Sequence, residues 1–249
     1  MLKDYSNMEK QIDKQLRKFN NVQSLMQYIN EENLQLMNAL QGSKKATGVD
    51  KITKEQYTEN IQENISNLVY RMKNHKYKLQ PVRRVLIPKP NGKMRPLGIP
   101  SYEDKLVQAK MAEILNLIFD RYFKDFSYGF RPNKDCHQAI KNIDNIIMHK
   151  NVNWIVEADI KGFFDHVNHE ILLRMLERVI KDRDFINLIR MFLKAGYMQN
   201  NELYETTEGT PQGGLISPIL ANLYLHFVLD LWVEKYIKPK YSNSKKCNF

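Results

Sequence analysis

Apolar residues in this chain recur with two spacings. A helical spacing links Leu25, Ile29, Leu36 and Leu40 within residues 1–40, and Tyr57, Ile61, Ile65, Leu68, Val69 and Met72 further on. Thr53 and Gln56 precede the second series in the form of a capping box, so a single amphipathic helix is predicted there. Leu106, Ala109, Ile114, Leu117 and Ile118 predict a helix over 101–123, and residues 134–150 predict another. Asn168 caps a series of Ile171, Leu172, Met175, Leu176 and Val179, and Ile186, Leu188, Ile189 and Phe192 continue as helix over 184–193. Ser217 as cap, with Pro218 in the first turn, opens a long apolar helix.

Strand patterns interrupt these helices. The β-branched run Val82 to Ile87, the Asn91-Gly92 turn and the return from Met94 to Ile99 predict a hairpin, which its prolines confine to an edge or an isolated ribbon. Residues 197–207 predict a second hairpin around Asn200-Asn201. Trp154, Ile155, Val156, Ala158 and Ile160 form a short apolar run that reads as a buried strand, with Glu157 and Asp159 near its end. The class is therefore α+β. The expected organisation is an N-terminal extension with the hairpin (1–100), a helical segment (101–150), a sheet-bearing unit (151–236) and a polar tail (237–249).

Charge narrows the partner. Thirty-eight Lys and Arg oppose 28 Asp and Glu, a formal charge of +10 that favours a polyanion, nucleic acid before an anionic membrane. No apolar run reaches bilayer length and the start lacks a secretory core, so an intracellular, non-membrane location is expected. Two cysteines are too few for a disulfide framework, and Cys136-His137 has no second pair with which to hold zinc.

Three stretches carry candidate chemistry. Asp159, at a strand end just before the Lys161-Gly162 turn, is either a loop-opening residue or an oxygen ligand for a hard cation. Lys89, Lys93 and Arg95 crowd the first hairpin's tip, where no local carboxylate pairs them; they guard an exposed edge or hold a triphosphate. Gly209, Gly213 and Gly214 allow a compact corner that brings backbone close to a ligand. The glycine- and lysine-rich stretch 41–50 reads as a mobile basic loop, and Asp182 and Asp184 as solvated charges.

Four blocks, in this order, give the chain a likeness: I-P-K-P-N-G-K-M-R-P-L-G-I-P, G-F-R-P, A-D-I-K-G-F-F-D and P-Q-G-G-L-I-S-P. Together they resemble reverse transcriptases, in particular the bacterial group II intron type. The resemblance implies a right-hand polymerase with helix-rich fingers and an antiparallel palm sheet packed on helices. It implies Asp159 and the carbonyl of Ile160 as ligands of catalytic Mg²⁺, with Mn²⁺ as a substitute. Lys89, Arg95, Phe163 and Gln212 would hold the incoming dNTP, with Phe163 crowding the ribose and Phe164 as fallback. Lys44, Lys45, Arg83, Arg84, Phe130 and Arg131 would meet nucleic acid. Expected partners are an intron RNA template and a DNA or RNA primer, in a cytoplasmic ribonucleoprotein; a homodimer is a further expectation.

The sequence departs from the family's pattern in one respect. Two-metal nucleotidyl transfer needs carboxylates that bridge both ions, and the family's Tyr-x-Asp-Asp has no counterpart, since no Asp-Asp pair occurs. The chain is thus expected to be fingers and partial palm, binding nucleic acid but inactive alone. An intron RNA-binding module, a self-association module and a bacterial reverse transcriptase without an intron remain alternatives.

Overall fold

Several helices in this chain start where a side-chain oxygen caps the first turn. The computed structural model describes residues 2–43, 45–90, 92–210 and 213–242. α1 (Leu2–Phe19) and α2 (Glu31–Leu40) flank a 3₁₀ turn at Leu25–Tyr28, and Asn30 caps α2 by accepting from Asn33 N–H at 2.9 Å. The capping box closes in both directions: Thr53 Oγ1 accepts from Gln56 N–H at 3.3 Å, and Gln56 Oε1 from Thr53 N–H at 3.0 Å. The helix it opens is not single. It breaks at Asn60 into α3 (Lys54–Glu59) and α4 (Ile61–Lys73), and Asn64 Nδ2 donates to Tyr57 O at 2.9 Å beside the break.

The chain then forms a ribbon, β1 (Val82–Pro88) and β2 (Met94–Ile99), paired antiparallel. Gly92 turns it at φ +75°; Asn91 lies outside the described residues. α5 (Tyr102–Phe119) is the central helix: Leu106, Met111, Ile114, Leu115 and Ile118 are sealed from solvent, with α1 and α2 packed against it. After α6 (Cys136–His149), capped by Asp135, come α7 (His169–Glu177) and α8 (Arg183–Lys194). α8 buries Phe185, Ile186, Leu188, Ile189, Phe192 and Leu193 on one face.

Asp182 is a working cap rather than a solvated charge. Its Oδ1 accepts from Phe185 N–H at 3.0 Å, and its Oδ2 from Leu25 and Met26 N–H at 2.5 and 3.1 Å. One carboxylate thus starts α8 and pins the 3₁₀ turn. Val22 N–H to Val179 O (2.8 Å) and Lys181 N–H to Val22 O (2.7 Å) complete that junction.

β3 (Tyr197–Gln199) and β4 (Glu202–Tyr204) turn through Asn200 and Asn201, both at positive φ, as a two-residue hairpin requires. The sheet order is β2-β1-β3-β4, and β1 pairs β3 in parallel at Val82 and Arg83 only. The sheet is therefore mixed rather than wholly antiparallel, and the rest of the ribbon projects beyond it. α9 (Ser217–Leu225) starts at Ser217 as its first residue, not its cap, and runs through two π-helical turns into α10 (Lys238–Ser242). It also packs on α5.

The buried strand expected at 154–160 is absent. Residues 151–160 form no strand or helix and pair with no described strand, and Trp154 and Val156 are 89% and 90% exposed. Strand propensity is realised only when a neighbour completes the ladder and covers a face, and the described residues supply neither. α6 shares the condition: Ile140, Ile143 and Met148 face solvent. No helix of the described residues is long and apolar enough to cross a membrane.

Candidate active site and nucleic-acid interface

The segment after Asp159 and the glycine corner are joined backbone to backbone. Gly162, at φ +63°, admits a 3₁₀ turn over Phe163–Asp165, closed by Asp165 N–H to Gly162 O at 2.9 Å. Gly209 N–H donates to Val167 O at 2.8 Å and Thr210 N–H to Phe164 O at 2.7 Å. The buried His169 donates from Nε2 to Gly209 O at 2.6 Å, which sets its tautomer. Gly209, at φ +84°, is required here, because a Cβ would stand 2.8 Å from Asp165 O.

The other two blocks reach the same place. Gly213, at φ +103°, lies so near the ribbon that a Cβ would collide with Gly98 O and Leu97. Asn222 Nδ2 on α9 donates to Gly129 O at 2.6 Å. Phe130 meets Phe164 edge-on at 6.4 Å, Phe164 meets Phe163 at 5.8 Å, and Phe163 meets Tyr224 at 6.2 Å. The ribbon, the G-F-R-P loop, the F-F-D turn and the glycine corner therefore converge on one region although up to about a hundred residues separate them.

Individual side chains divide into those that face solvent and those already engaged. Lys89 and Arg95 stand exposed at the ribbon tip, and Asp159 and Ile160 are exposed on the unpaired segment 151–160. Phe163 is half-buried against the core. Phe130 is 67% exposed and held at φ +53°. Gln212 and Lys44 lie outside the described residues.

Arg131, expected to meet nucleic acid, is buried and engaged within the protein. Its Nε donates to Asp120 Oδ1 at 2.8 Å, and its Nη1 to the carbonyls of Lys124 and Ser127 at 2.8 and 2.9 Å. A guanidinium so engaged holds the loop that presents Phe130 and keeps most of its donors inside the protein. Arg83 is likewise engaged: Nε and Nη2 both donate to Thr47 O, at 2.9 and 2.6 Å. Arg84 makes no hydrogen bond or ion pair to the described residues, but its guanidinium lies 4.2 Å over the Tyr197 ring.

The stretch 45–50, expected to be mobile, is tied down. Lys105 Nζ donates to Ala46 O at 2.6 Å, Tyr102 N–H to Asp50 Oδ2 at 2.7 Å, and Gly48 lies flush against Pro100. Lys45 donates to Gln41 Oε1 at 3.3 Å. Desolvation pulls the Lys105 amine below its ordinary value, with Lys45 and Arg83 adding to the effect and Asp50 opposing it. Sequence patterning missed Lys105, His169 and Asn222; each acts on a residue more than forty positions away or on a bare carbonyl, which leaves no local signature.

Asp159 and the Ile160 carbonyl are hard oxygen donors of the kind Mg²⁺ takes. They do not make a closed site: no group of three His, Cys, Asp or Glu able to hold a metal occurs among the described residues.

Known proteins resemble the chain along most of its length. Residues 87–248 match the family described as Reverse transcriptase (RNA-dependent DNA polymerase). The chain is 46% identical over 175 residues to Group II intron-encoded protein LtrA of Lactococcus lactis, covering 68% of this chain and 29% of LtrA. It is 42% identical over 170 residues to an uncharacterized 91 kDa protein in the cob intron of Schizosaccharomyces pombe, covering 68% of this chain and 21% of that protein. The chain thus spans less than a third of the length of these relatives. A partial Cas6-RT-Cas1–Cas2 complex shares its fold, with a TM-score of 0.54 and 20% identity over 86% of this chain and 35% of that one. With the four blocks in order and brought together by the fold, the chain belongs to the reverse transcriptase (RNA-dependent DNA polymerase) family.

Proposed function

We propose that these residues form the fingers and part of the palm of an RNA-directed DNA polymerase encoded by a group II intron. The observation that carries this is the backbone joint between the F-F-D turn and the glycine corner, seated under the cationic ribbon. Lys89 and Arg95 meet the triphosphate of the incoming nucleotide, where fixed cations stabilise charge that builds on pyrophosphate. Gln212 and Phe163 line its sugar. Asp159 and the Ile160 carbonyl supply part of the shell of a divalent ion, Mg²⁺ or Mn²⁺ when bound, which polarises the reacting oxygens. An intron RNA template, a primer and dNTP are the partners, in a bacterial ribonucleoprotein.

The chain's own residues supply binding and orientation rather than complete chemistry, because the remaining carboxylates of a two-metal site have no place in this sequence. Primer extension with the 249-residue chain tests this. Nucleic acid should be retained, with affinity falling as salt rises, and no extension should occur with Mg²⁺ or Mn²⁺. Robust synthesis would refute the division of labour, and loss of RNA binding would refute the interface. A second reading, an intron RNA-binding or splicing role without polymerisation, draws support from the fixed loop at 45–50 and predicts that Asp159→Ala leaves RNA binding unchanged.

A further inference from the structure

Three lysines from separate elements meet around one cavity. Lys45 comes from the 45–50 loop, Lys54 opens α3 and Lys105 stands on α5, with Gln41 and Glu55 among the other lining residues. The space is about 60 Å³. At about 10–15 Å³ for each water-sized group, that is room for about five heavy atoms, the size of a phosphate.

Carbonyl oxygens, not carboxylates, fix these cations. Lys54 Nζ donates to Gln41 O and Ala39 O at 2.5 and 3.2 Å, Lys45 Nζ to Gln41 Oε1 at 3.3 Å and Lys105 Nζ to Ala46 O at 2.6 Å. None of the three pairs with a carboxylate of the described residues. Asp50, whose charge acts on Lys105, has its oxygens on Tyr102 N–H and Ile52 N–H at 2.7 and 3.4 Å, and Glu55 stands exposed. An ammonium has three donors, so Lys45 and Lys105 each keep two and Lys54 keeps one. Lys105 differs from the other two in being half-buried, and desolvation lowers its amine below the ordinary 10.5, with Lys45 and Arg83 adding to the effect. Desolvation and neighbouring cations are what turn a lysine into a nucleophile.

We propose that this cavity binds a small acyl phosphate and that Lys105 is acylated there. Lys45 and Lys54 hold the phosphate, while the neutral Lys105 amine, one N–H on Ala46 O, turns its lone pair to the acyl carbon. The C–N bond forms as the bond from the acyl carbon to the bridging oxygen breaks. The phosphate leaves with that electron pair, stabilised by the two ammonium groups, and takes up the surplus amine proton. The products are N-acyl Lys105 and inorganic phosphate. The amide keeps one N–H for Ala46 O and removes one positive charge from beside the 45–50 loop. The reaction uses neither the donors at Asp159 and Ile160 nor the ribbon tip, so it stands apart from the polymerase reading.

Acetyl phosphate incubated with the 249-residue protein, followed by digestion and mass spectrometry at successive times, reads the rate at each lysine. Lys105 should react at least about tenfold faster than Lys10 and Lys14, exposed lysines that stand beside Arg17 and Lys18 on α1. Inorganic phosphate should slow Lys105 and leave Lys10 and Lys14 unchanged. Acetic anhydride, an acyl donor without phosphate, should show a much smaller preference for Lys105. Lys45→Gln and Lys54→Gln, checked for folding by circular dichroism melts, should each slow Lys105 by about tenfold, the worth of a charged hydrogen bond. Lys45→Arg keeps the charge and should retain most of the rate. Equal rates at Lys105 and Lys10 in the parent would overturn the site. So would a fast Lys105 that neither phosphate nor the two glutamine variants slow, because that reactivity would belong to the amine alone.

Discussion

Gly209→Ala tests the joint on which the site depends. A Cβ at this position would stand 2.8 Å from Asp165 O and 2.9 Å from Phe164 O, with the backbone at φ +84°. A left-handed conformation costs a residue with a Cβ about 1–2 kcal/mol. Phe164 O cannot yield alone, because Thr210 N–H holds it at 2.7 Å, and moving Gly209 away instead strains its own N–H bond to Val167 O at 2.8 Å. Relieving the overlap therefore stretches these bonds and the His169 bond, each worth about 1 kcal/mol net, and half to all of that is lost. Alanine also stiffens the unfolded chain, which returns about 0.4–1 kcal/mol. The balance is a loss of about 2–4 kcal/mol.

If the joint unfolds with the rest, melting falls by about 4–16 °C, at about 2–4 °C per kcal/mol for a chain of this size. If it opens locally, exchange protection of the Thr210 amide falls by about 30- to 1000-fold while the melting point holds. Circular dichroism melts and amide exchange by mass spectrometry separate the two cases. Gly129→Ala is the control: nothing lies within 4 Å of its would-be Cβ, and its effect should stay within about 0.5 kcal/mol. An unchanged melting point together with unchanged protection at Thr210 in Gly209→Ala would refute the joint.

Further outcomes follow from single side chains. Asp182→Ala removes the cap of α8 and the acceptor of both 3₁₀-turn N–H groups, so it should cost about 3 kcal/mol by melting; Asp182→Asn, which turns a donor toward Leu25 or Phe185, should not restore the parent. Burial raises the Asp104 carboxyl above its ordinary 3.8, against the lowering by Tyr77, Ser101 and Gln80 N–H. The native state then holds a proton that the unfolded state has released, so this contribution to stability falls as pH rises from 3.8 through the raised value. The melting-point advantage of the parent over Asp104→Asn should shrink over that window and level off above it; a growing advantage would contradict the sign. Lys105→Gln should free the 45–50 loop from Ala46 O, seen as faster tryptic cleavage at Lys45 without loss of the core. Arg131→Gln should lower the melting point before it lowers RNA affinity, since its donors are spent on Asp120, Lys124 and Ser127.

What the sequence made legible is what neighbours in the chain determine. The capping box at Thr53, the Asn200-Asn201 turn, the two strands of the ribbon and the buried face of α8 all arise within a few residues, and all formed as the pattern predicts. The illegible features depend on distant partners. Asp182 was indistinguishable from a surface charge because the N–H groups it binds are 156 and 157 residues away. The parallel pairing of β1 with β3 joins segments more than a hundred positions apart through two residue pairs. Trp154 to Ile160 has strand composition, yet composition cannot furnish the adjoining strand. The break at Asn60 escaped notice because helical spacing continues across it on both sides.

The same distinction separates the two kinds of residue inside a recognised motif. In G-F-R-P, the arginine has the chemistry that suits a phosphate, but the fold encloses it and spends its donors on backbone carbonyls, while Phe130 next to it is thrust outward at positive φ. In the ribbon, Arg83 and Arg84 are adjacent letters with one charge each. Alternation sends Arg83 to the Thr47 carbonyl and Arg84 to the opposite face with its fork open. A motif therefore records residues that hold a surface as well as residues that touch the ligand, and charge alone does not tell them apart. Counting each donor against its acceptors does: among the described residues Arg84, Lys89 and Arg95 keep donors in hand, and Phe130 beside them offers an exposed ring.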